Sequence, residues 1–243
     1  MAWPRGQPSL AEGPATLQGV RQLRQADIIA AFIQAGWCML EVSNLECVRG
    51  DRRLFKDVSF ALRAGELLQI HGPNGSGKTS LLRMLCGLVL PAEGKISWQG
   101  FGIGDLREEY AQAVTYIGHL PAVKDELSAL ENLSIASELS GIHLSQDQVF
   151  SALRRMGLGG RELLPAKVLS QGQRRRVALA RLLVSGATLW ILDEPLTALD
   201  VAAVKLMQSL IEAHLHKGGM VILTTHQDIE IPGFVTQRVD LAA

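Results

Sequence analysis

The sequence predicts an α/β domain built around a mostly parallel sheet, and three features predict it. Short apolar runs of strand length alternate with segments of helical periodicity, a glycine-rich turn joins one such run directly to a helix, and another apolar run ends in two carboxylates. Parallel strands need long crossover connections, and intervening helices supply them. Taken in order, Leu40–Leu45 and Leu54–Leu62 read as strands, the second carrying Phe55, Val58 and Phe60. Leu67–Ile70 is a short strand that runs straight into the glycine-rich turn. Thr79–Leu90 then continues as a helix, with Leu81, Leu82, Leu85 and Leu88 at helical spacing. Lys95–Gln99 reads as an edge strand. From about Leu127 to Leu164 the pattern is helical, through Leu130, Leu133, Ile135, Leu139, Val149, Leu153 and Met156. This block sits inside the α/β frame as an insertion. Val177–Leu183 continues a helix, Leu189–Leu192 is a fully apolar strand, and Val221–Thr224 is another.

Composition narrows the class. The chain has 243 residues, 47% hydrophobic and 20% charged, a globular profile long enough for a substantial core. Lys plus Arg equals Asp plus Glu at 24 each, so no broad electrostatic footprint favours nucleic acid or anionic lipid. The three cysteines (Cys38, Cys47 and Cys86) are odd in number and lack C-x-x-C spacing, which suits a reducing compartment. The longest strongly apolar stretch, within Ala26–Trp37, contains Asp27 and Gln34 and falls short of the roughly 20 apolar residues a bilayer span needs. The first residues also lack a secretory signal pattern. A cytosolic location is expected.

Residues 1–38 are rich in Gly, Gln, Pro and Ala and carry no strand-turn-strand logic. They read as a leader, either disordered or preceding the working initiator Met39. The sharper alternative is a docking helix from about Leu17 to Gly36, using Val20, Leu23, Ile28 and Ile29. The folded domain is expected over 39–243, with its helical subdomain over about 120–168.

The strongest local signal is Gly72-Pro73-Asn74-Gly75-Ser76-Gly77-Lys78-Thr79, followed by Ser80. It matches the G-x-x-x-x-G-K-[ST] phosphate loop in the required strand-to-helix context. Its glycines let backbone N–H groups converge on phosphate oxygens, and the following helix presents its positive end. Lys78 is placed to neutralise the β- and γ-phosphates of ATP, and Thr79 to offer a hydroxyl to Mg²⁺. The strand Leu189–Leu192 runs into Asp193 and Glu194 at the carboxyl edge of the sheet, where open α/β sheets bind ligands. Asp193 suits Mg²⁺, and Glu194 suits the attacking water. Between these motifs lies Leu169-Ser170-Gln171-Gly172-Gln173, followed by Arg174–Arg176. Taken alone, it is a helix N-terminus capped by Ser170 with a solvated basic face.

With that signature ahead of Asp193, Ala198-Leu199-Asp200 like a D-loop, and Thr225-His226 after a strand, the chain resembles the ABC ATPase family from about Leu40 to Asp228. The resemblance implies a P-loop fold with a mixed and parallel sheet core, antiparallel strands at the N-terminus and a helical subdomain. It implies that two subunits pack head to tail, each ATP lying between one phosphate loop and the partner's Ser170, Gln171, Gly172 and Gln173. Asp200 would couple the two sites. His226 would bond the γ-phosphate and orient water beside Glu194. Integral membrane permease subunits are the implied partners.

Three positions depart from the family pattern, the first being Gln171, where the signature more commonly has glycine. Where the family usually has a metal-contacting glutamine, after Val114–Ile117, this chain has His119. Imidazole can still bond a metal-held water. The adenine-stacking aromatic expected before Leu54 is replaced by Arg49, whose guanidinium either stacks on the base or is a plain surface group. These departures, with Tyr116-Ile117-Gly118-His119, Trp190–Pro195 and Thr224–Asp228, are similar to the ATP-binding subunits of cytochrome c biogenesis haem exporters. That branch implies a place on the cytoplasmic side of the inner membrane and, indirectly, a periplasmic haem chaperone. An ATPase serving a drug, ion or lipid exporter is the alternative. No C-x-x-C-H haem motif occurs in the chain.

Overall fold

The computed structural model describes residues 39–225 and 229–241. The leader with its candidate helix, and His226, lie outside the described residues. Two sheets organise the domain. In the first, β1 (Met39–Arg49) pairs antiparallel with β2 (Arg52–Arg63) and with β4 (Glu93–Trp98). A two-residue β5 (Phe101–Gly102) closes the order β2-β1-β4-β5. The segment read as an edge strand at Lys95–Gln99 is therefore interior. The chain reverses at Gln99 and Gly100, both at positive φ, and β5 covers the free side.

The second sheet is all parallel. It consists of β3 (Leu67–His71), β6 (Val114–Ile117), β7 (Leu189–Asp193), β8 (Met220–Thr224) and β9 (Thr236–Asp240), in the order β6-β7-β8-β3-β9. Every residue of β7 and β8 is buried. The reason is that successive side chains enter different cores. Leu189 and Ile191 join a cluster with Leu40, Leu62, Leu82 and Ile96 beneath the antiparallel sheet. Trp190 and Leu192 join another with Leu133, Leu153, Met207 and Ile211. A continuous apolar run is thus a requirement of a two-faced strand. β9 escaped the sequence reading because its exposed and half-buried residues alternate on the sheet edge, where no apolar run is needed.

The helices follow the same logic. α1 (Lys78–Leu85) is shorter than the helix read over Thr79–Leu90. Gly87 turns left-handed, its N–H bonds the Met84 carbonyl, and the Leu88 N–H bonds Arg83. That pattern ends a helix and leaves Leu88 exposed. α2 (Arg107–Ala113), missed in the sequence, precedes β6. The helical block holds α3 (Ala129–Leu139) and α4 (Gln146–Arg155), each opened by a reciprocal capping box, Ser128 with Glu131 and Ser145 with Gln148. The helix read over Val177–Leu183 divides at Ala180 into α5 (Gln171–Leu179) and α6 (Arg181–Val184). α7 (Val201–His216), also missed, buries Ala203, Met207, Leu210, Ile211 and Leu215 on one stripe. Among the described residues, no helix is long and apolar enough to cross a membrane.

One contact between α7 and β7 makes stability depend on pH. The His214 ring stacks on Trp190 with centroids 3.8 Å apart, and its Nε2 lies 3.2 Å from the Thr188 carbonyl oxygen. Burial pushes the imidazole down from 6.5 to about 4. The unfolded chain therefore binds a proton that the folded chain refuses between those values. This contribution to stability is complete above about pH 6.5 and is lost as pH falls toward about 4. Chemical denaturation should show a loss on the order of 2 kcal/mol between about pH 7 and about pH 5, absent from His214→Phe.

Candidate functional site

The carboxyl ends of β3, β6, β7 and β8 converge at one edge of the parallel sheet. The glycine-rich turn, residues 72–77, leaves β3 there and enters α1 through Gly77, which caps the helix with no side-chain bond. The first-turn N–H groups therefore stay open toward the loop. Gly72 has φ +149, and a Cβ there would come within 2.6 Å of the Ser76 hydroxyl and 2.7 Å of the Leu241 carbonyl oxygen. No other residue fits that turn. Pro73, Asn74 and Gly75 are exposed at its tip, while Ser76 is buried with a hydroxyl that has no hydrogen-bond partner. Lys78, only 7% exposed, donates from its ammonium to the carbonyls of Gly72 (2.7 Å) and Pro73 (3.1 Å).

Opposite the loop stands Asp193, 2% exposed at the end of β7. Thr79 Oγ1 donates to one carboxylate oxygen and Thr224 Oγ1 to the other, each at 2.8 Å. The same Thr224 hydroxyl accepts from the Glu194 N–H at 2.8 Å. Glu194 sits at φ +49, a conformation that costs a residue with a Cβ free energy and persists only where surroundings over-determine it. Its Oε2 accepts from Thr197 Oγ1 at 3.3 Å and lies 3.6 Å from His119 Nδ1. The structure thus brings Lys78, Thr79, Asp193, Glu194 and His119 to one place. Ser80 contacts the Cys47 thiol, which also feels the charge of Arg49, exposed at the end of β1.

The signature lies apart from that cluster. Ser170 caps α5, its hydroxyl accepting from the Gln173 N–H at 3.2 Å while the Gln173 amide oxygen accepts from the Ser170 N–H at 3.0 Å. Gln171 is exposed. A Cβ on Gly172 would stand 2.7 Å from the Ala198 carbonyl oxygen, so only glycine lets the 198–200 turn pass so close. Asp200 caps α7 through the Ala203 N–H (2.8 Å) and pairs with Arg176. These contacts hold its carboxyl below the ordinary range, the Ala203 bond contributing most. Ser170, Gly172, Gln173, Arg176, Asp200 and neighbours line a cavity of about 350 Å³ that includes no residue of the phosphate loop.

The basic run behind the signature differs from its sequence reading as a solvated face. Arg174 pairs with Asp125 at 2.8 Å, whereas Arg175 is 3% exposed. Its guanidinium donates to the carbonyls of Gly118 (2.7 Å), His119 (3.1 Å), Asp193 (2.8 Å) and Glu194 (2.9 Å). The available signal was helical spacing, since Arg175 falls on the face shared with buried Leu179. Neither the burial nor the partners of Arg175 were legible beyond that.

A glycine-rich loop between a parallel strand and a helix, facing an aspartate fixed by two hydroxyls, defines a nucleoside-triphosphate-binding α/β protein. Residues 55–197 match the family described as ABC transporter, and the chain belongs to that family; it is an ATP-binding subunit with ATP-hydrolysing activity. It is 64% identical over 202 residues to the cytochrome c biogenesis ATP-binding export protein CcmA of Nitrosospira multiformis, covering 83% of this chain and 98% of that one. It is 60% identical over 191 residues to the CcmA of Nitrosomonas europaea, covering 79% and 90% respectively. Among solved structures, a putative ABC transporter ATP-binding protein from Pyrococcus furiosus superposes with a TM-score of 0.72 at 25% identity, covering 84% of this chain and 97% of that one. A structure described as the ATP-binding subunit of an ABC transporter gives 0.69 at 29% identity, covering 77% and 79%.

Proposed function

We propose that this chain is the ATP-hydrolysing subunit of a cytochrome c biogenesis haem exporter, working as a homodimer on the cytoplasmic side of the inner membrane. A phosphate loop and a signature cavity built apart on one chain carry the dimeric part of the reading. The phosphate loop has no signature beside it, and the signature cavity has no phosphate loop. Pairing two copies head to tail would complete both at once, which is the closed arrangement a two-fold symmetric interface produces.

Within each shared site, the loop N–H groups and Lys78 hold the β- and γ-phosphates, and the partner's Ser170 and Gly172 close on the γ-phosphate. The buried, unpartnered Ser76 hydroxyl and the oxygen donors of Thr79 and Asp193 fit a phosphate with a hard cation, and Mg²⁺ prefers such ligands. Thr79 and Asp193 would hold Mg²⁺, with His119 as a further ligand through water; the ion would neutralise charge on the phosphates. Glu194 accepts the proton of a water as its oxygen attacks the γ-phosphorus and the bond to the β–γ bridging oxygen breaks, giving ADP and phosphate. His226 is assigned to orienting that water against the γ-phosphate. Arg49 is assigned to the base, where its guanidinium plane can stack.

ABC ATPase domains partner with membrane permease subunits. The similarity to the two CcmA proteins supports the haem-export branch, with a periplasmic haem chaperone as the remote beneficiary of ATP turnover. Isolation of the native protein from gently solubilised membranes is expected to recover haem-handling membrane subunits with it. Recovery with a drug-type permease and none of those subunits would instead assign the chain to a different exporter.

A further inference from the structure

The guanidinium of Arg175 is a buried cation bound by main-chain carbonyls from two separate segments. One terminal nitrogen holds Gly118 and His119, in the loop after β6; the other holds Asp193 and Glu194, at the end of β7. The side chain itself springs from α5, whose N-cap is the signature Ser170. Burial works against its charge, and the nearby carboxylates of Asp193 and Glu194 work for it. A desolvated charge of this kind is a poor way to stabilise a fold, but a specific way to fix a geometry.

What it fixes is unusual. Glu194 holds a positive φ, with its N–H anchored on Thr224 Oγ1 and its carbonyl anchored on Arg175. Those two anchors pin both peptides that flank the strained residue. The same guanidinium pins the His119 carbonyl, and the two side chains then meet at 3.6 Å.

We propose that Arg175 is a positioning residue for hydrolysis, one that sets the backbone of Glu194 and of His119 together and ties both to the signature helix. The proposal rests on Glu194 being the residue that activates water. A consequence is a rigid link, within one subunit, between the motif that closes on the partner's ATP and the carboxylates that act on its own.

Arg175→Lys and Arg175→Gln test it. An ammonium keeps the charge, but as a single compact centre it lacks the fork that holds two carbonyl pairs at once, so the lysine variant should not rescue. Both variants should lower kcat by about 10- to 100-fold while KM and nucleotide affinity stay within about threefold. In the Glu194→Gln background, Arg175→Lys should lower the residual single-turnover rate by clearly less than it lowers the rate of the unsubstituted protein, because most of its effect runs through Glu194. Multiplied effects in the double variant, an unchanged kcat, or joint loss of affinity and turnover would overturn the proposal. Variants that no longer fold would assign Arg175 to stability alone and overturn it equally. Full turnover in Glu194→Gln by itself would sink the reading of Glu194, whereas an inactive Glu194→Gln beside a fully active Arg175→Lys would sink only the proposal made here for Arg175.

Discussion

Glu194→Gln is expected to lower steady-state ATP hydrolysis by about 10³-fold while leaving ATP affinity within a few-fold. The substitution is nearly isosteric. The amide oxygen can still accept from Thr197, and the backbone anchor on Thr224 is untouched, so the strained conformation at φ +49 should survive. What disappears is a group able to accept a proton from water. Since ATP then remains intact between the two copies, the ATP-bound dimer should accumulate, and size-exclusion chromatography with Mg-ATP should report it. A variant that lost binding and hydrolysis together would remove Glu194 from the chemistry and return it to the architecture of the loop.

Lys78→Ala should act at the earlier step. Each charge-assisted bond from an ammonium to phosphate is worth about 1.5–3 kcal/mol, so losing the cation should weaken ATP binding by about 100-fold. Lys78 also ties the carbonyls of Gly72 and Pro73, and its removal frees the turn that aligns the loop N–H groups. Both effects point the same way. Titration calorimetry of the variant against Mg-ATP checks the expectation, with thermal unfolding as the control for the fold. Undiminished affinity in a folded Lys78→Ala would overturn the assignment of the loop to the phosphates.

Local patterns explain how much of the fold could be anticipated. The strands at Leu67, Leu189 and Val221 were legible because a strand buried on both faces is predominantly apolar, with Gln69 in β3 satisfied by the Ile229 backbone. The Ser170 cap was visible for a similar reason, since a capping residue at a helix start is a local feature, although its reciprocal pairing with Gln173 emerged only in the structure. Elements with weaker demands went unread. β9 needs only backbone pairing with β3, and the stripe of α7 is broken by small and polar residues. The site divided along the same line. Thr79, Asp193 and Glu194 announced themselves by motif, while Thr224, which bonds both Asp193 and Glu194, was read as the end of an apolar strand with no role in the site.

By itself, then, the sequence determined the phosphate loop, the carboxylates that end β7, the capped signature helix and the alternation of strands and helices. Each is written in neighbouring residues, where spacing alone sets geometry. The tertiary structure decided the rest: that Asp193 is held between Thr79 and Thr224, that His119 faces Glu194, and that Arg175 lies buried across two loop segments rather than in water. These contacts join residues from 18 to 114 positions apart. Only the packing of the parallel sheet brings such positions within hydrogen-bonding distance, and no local pattern encodes which carbonyl a buried cation will meet.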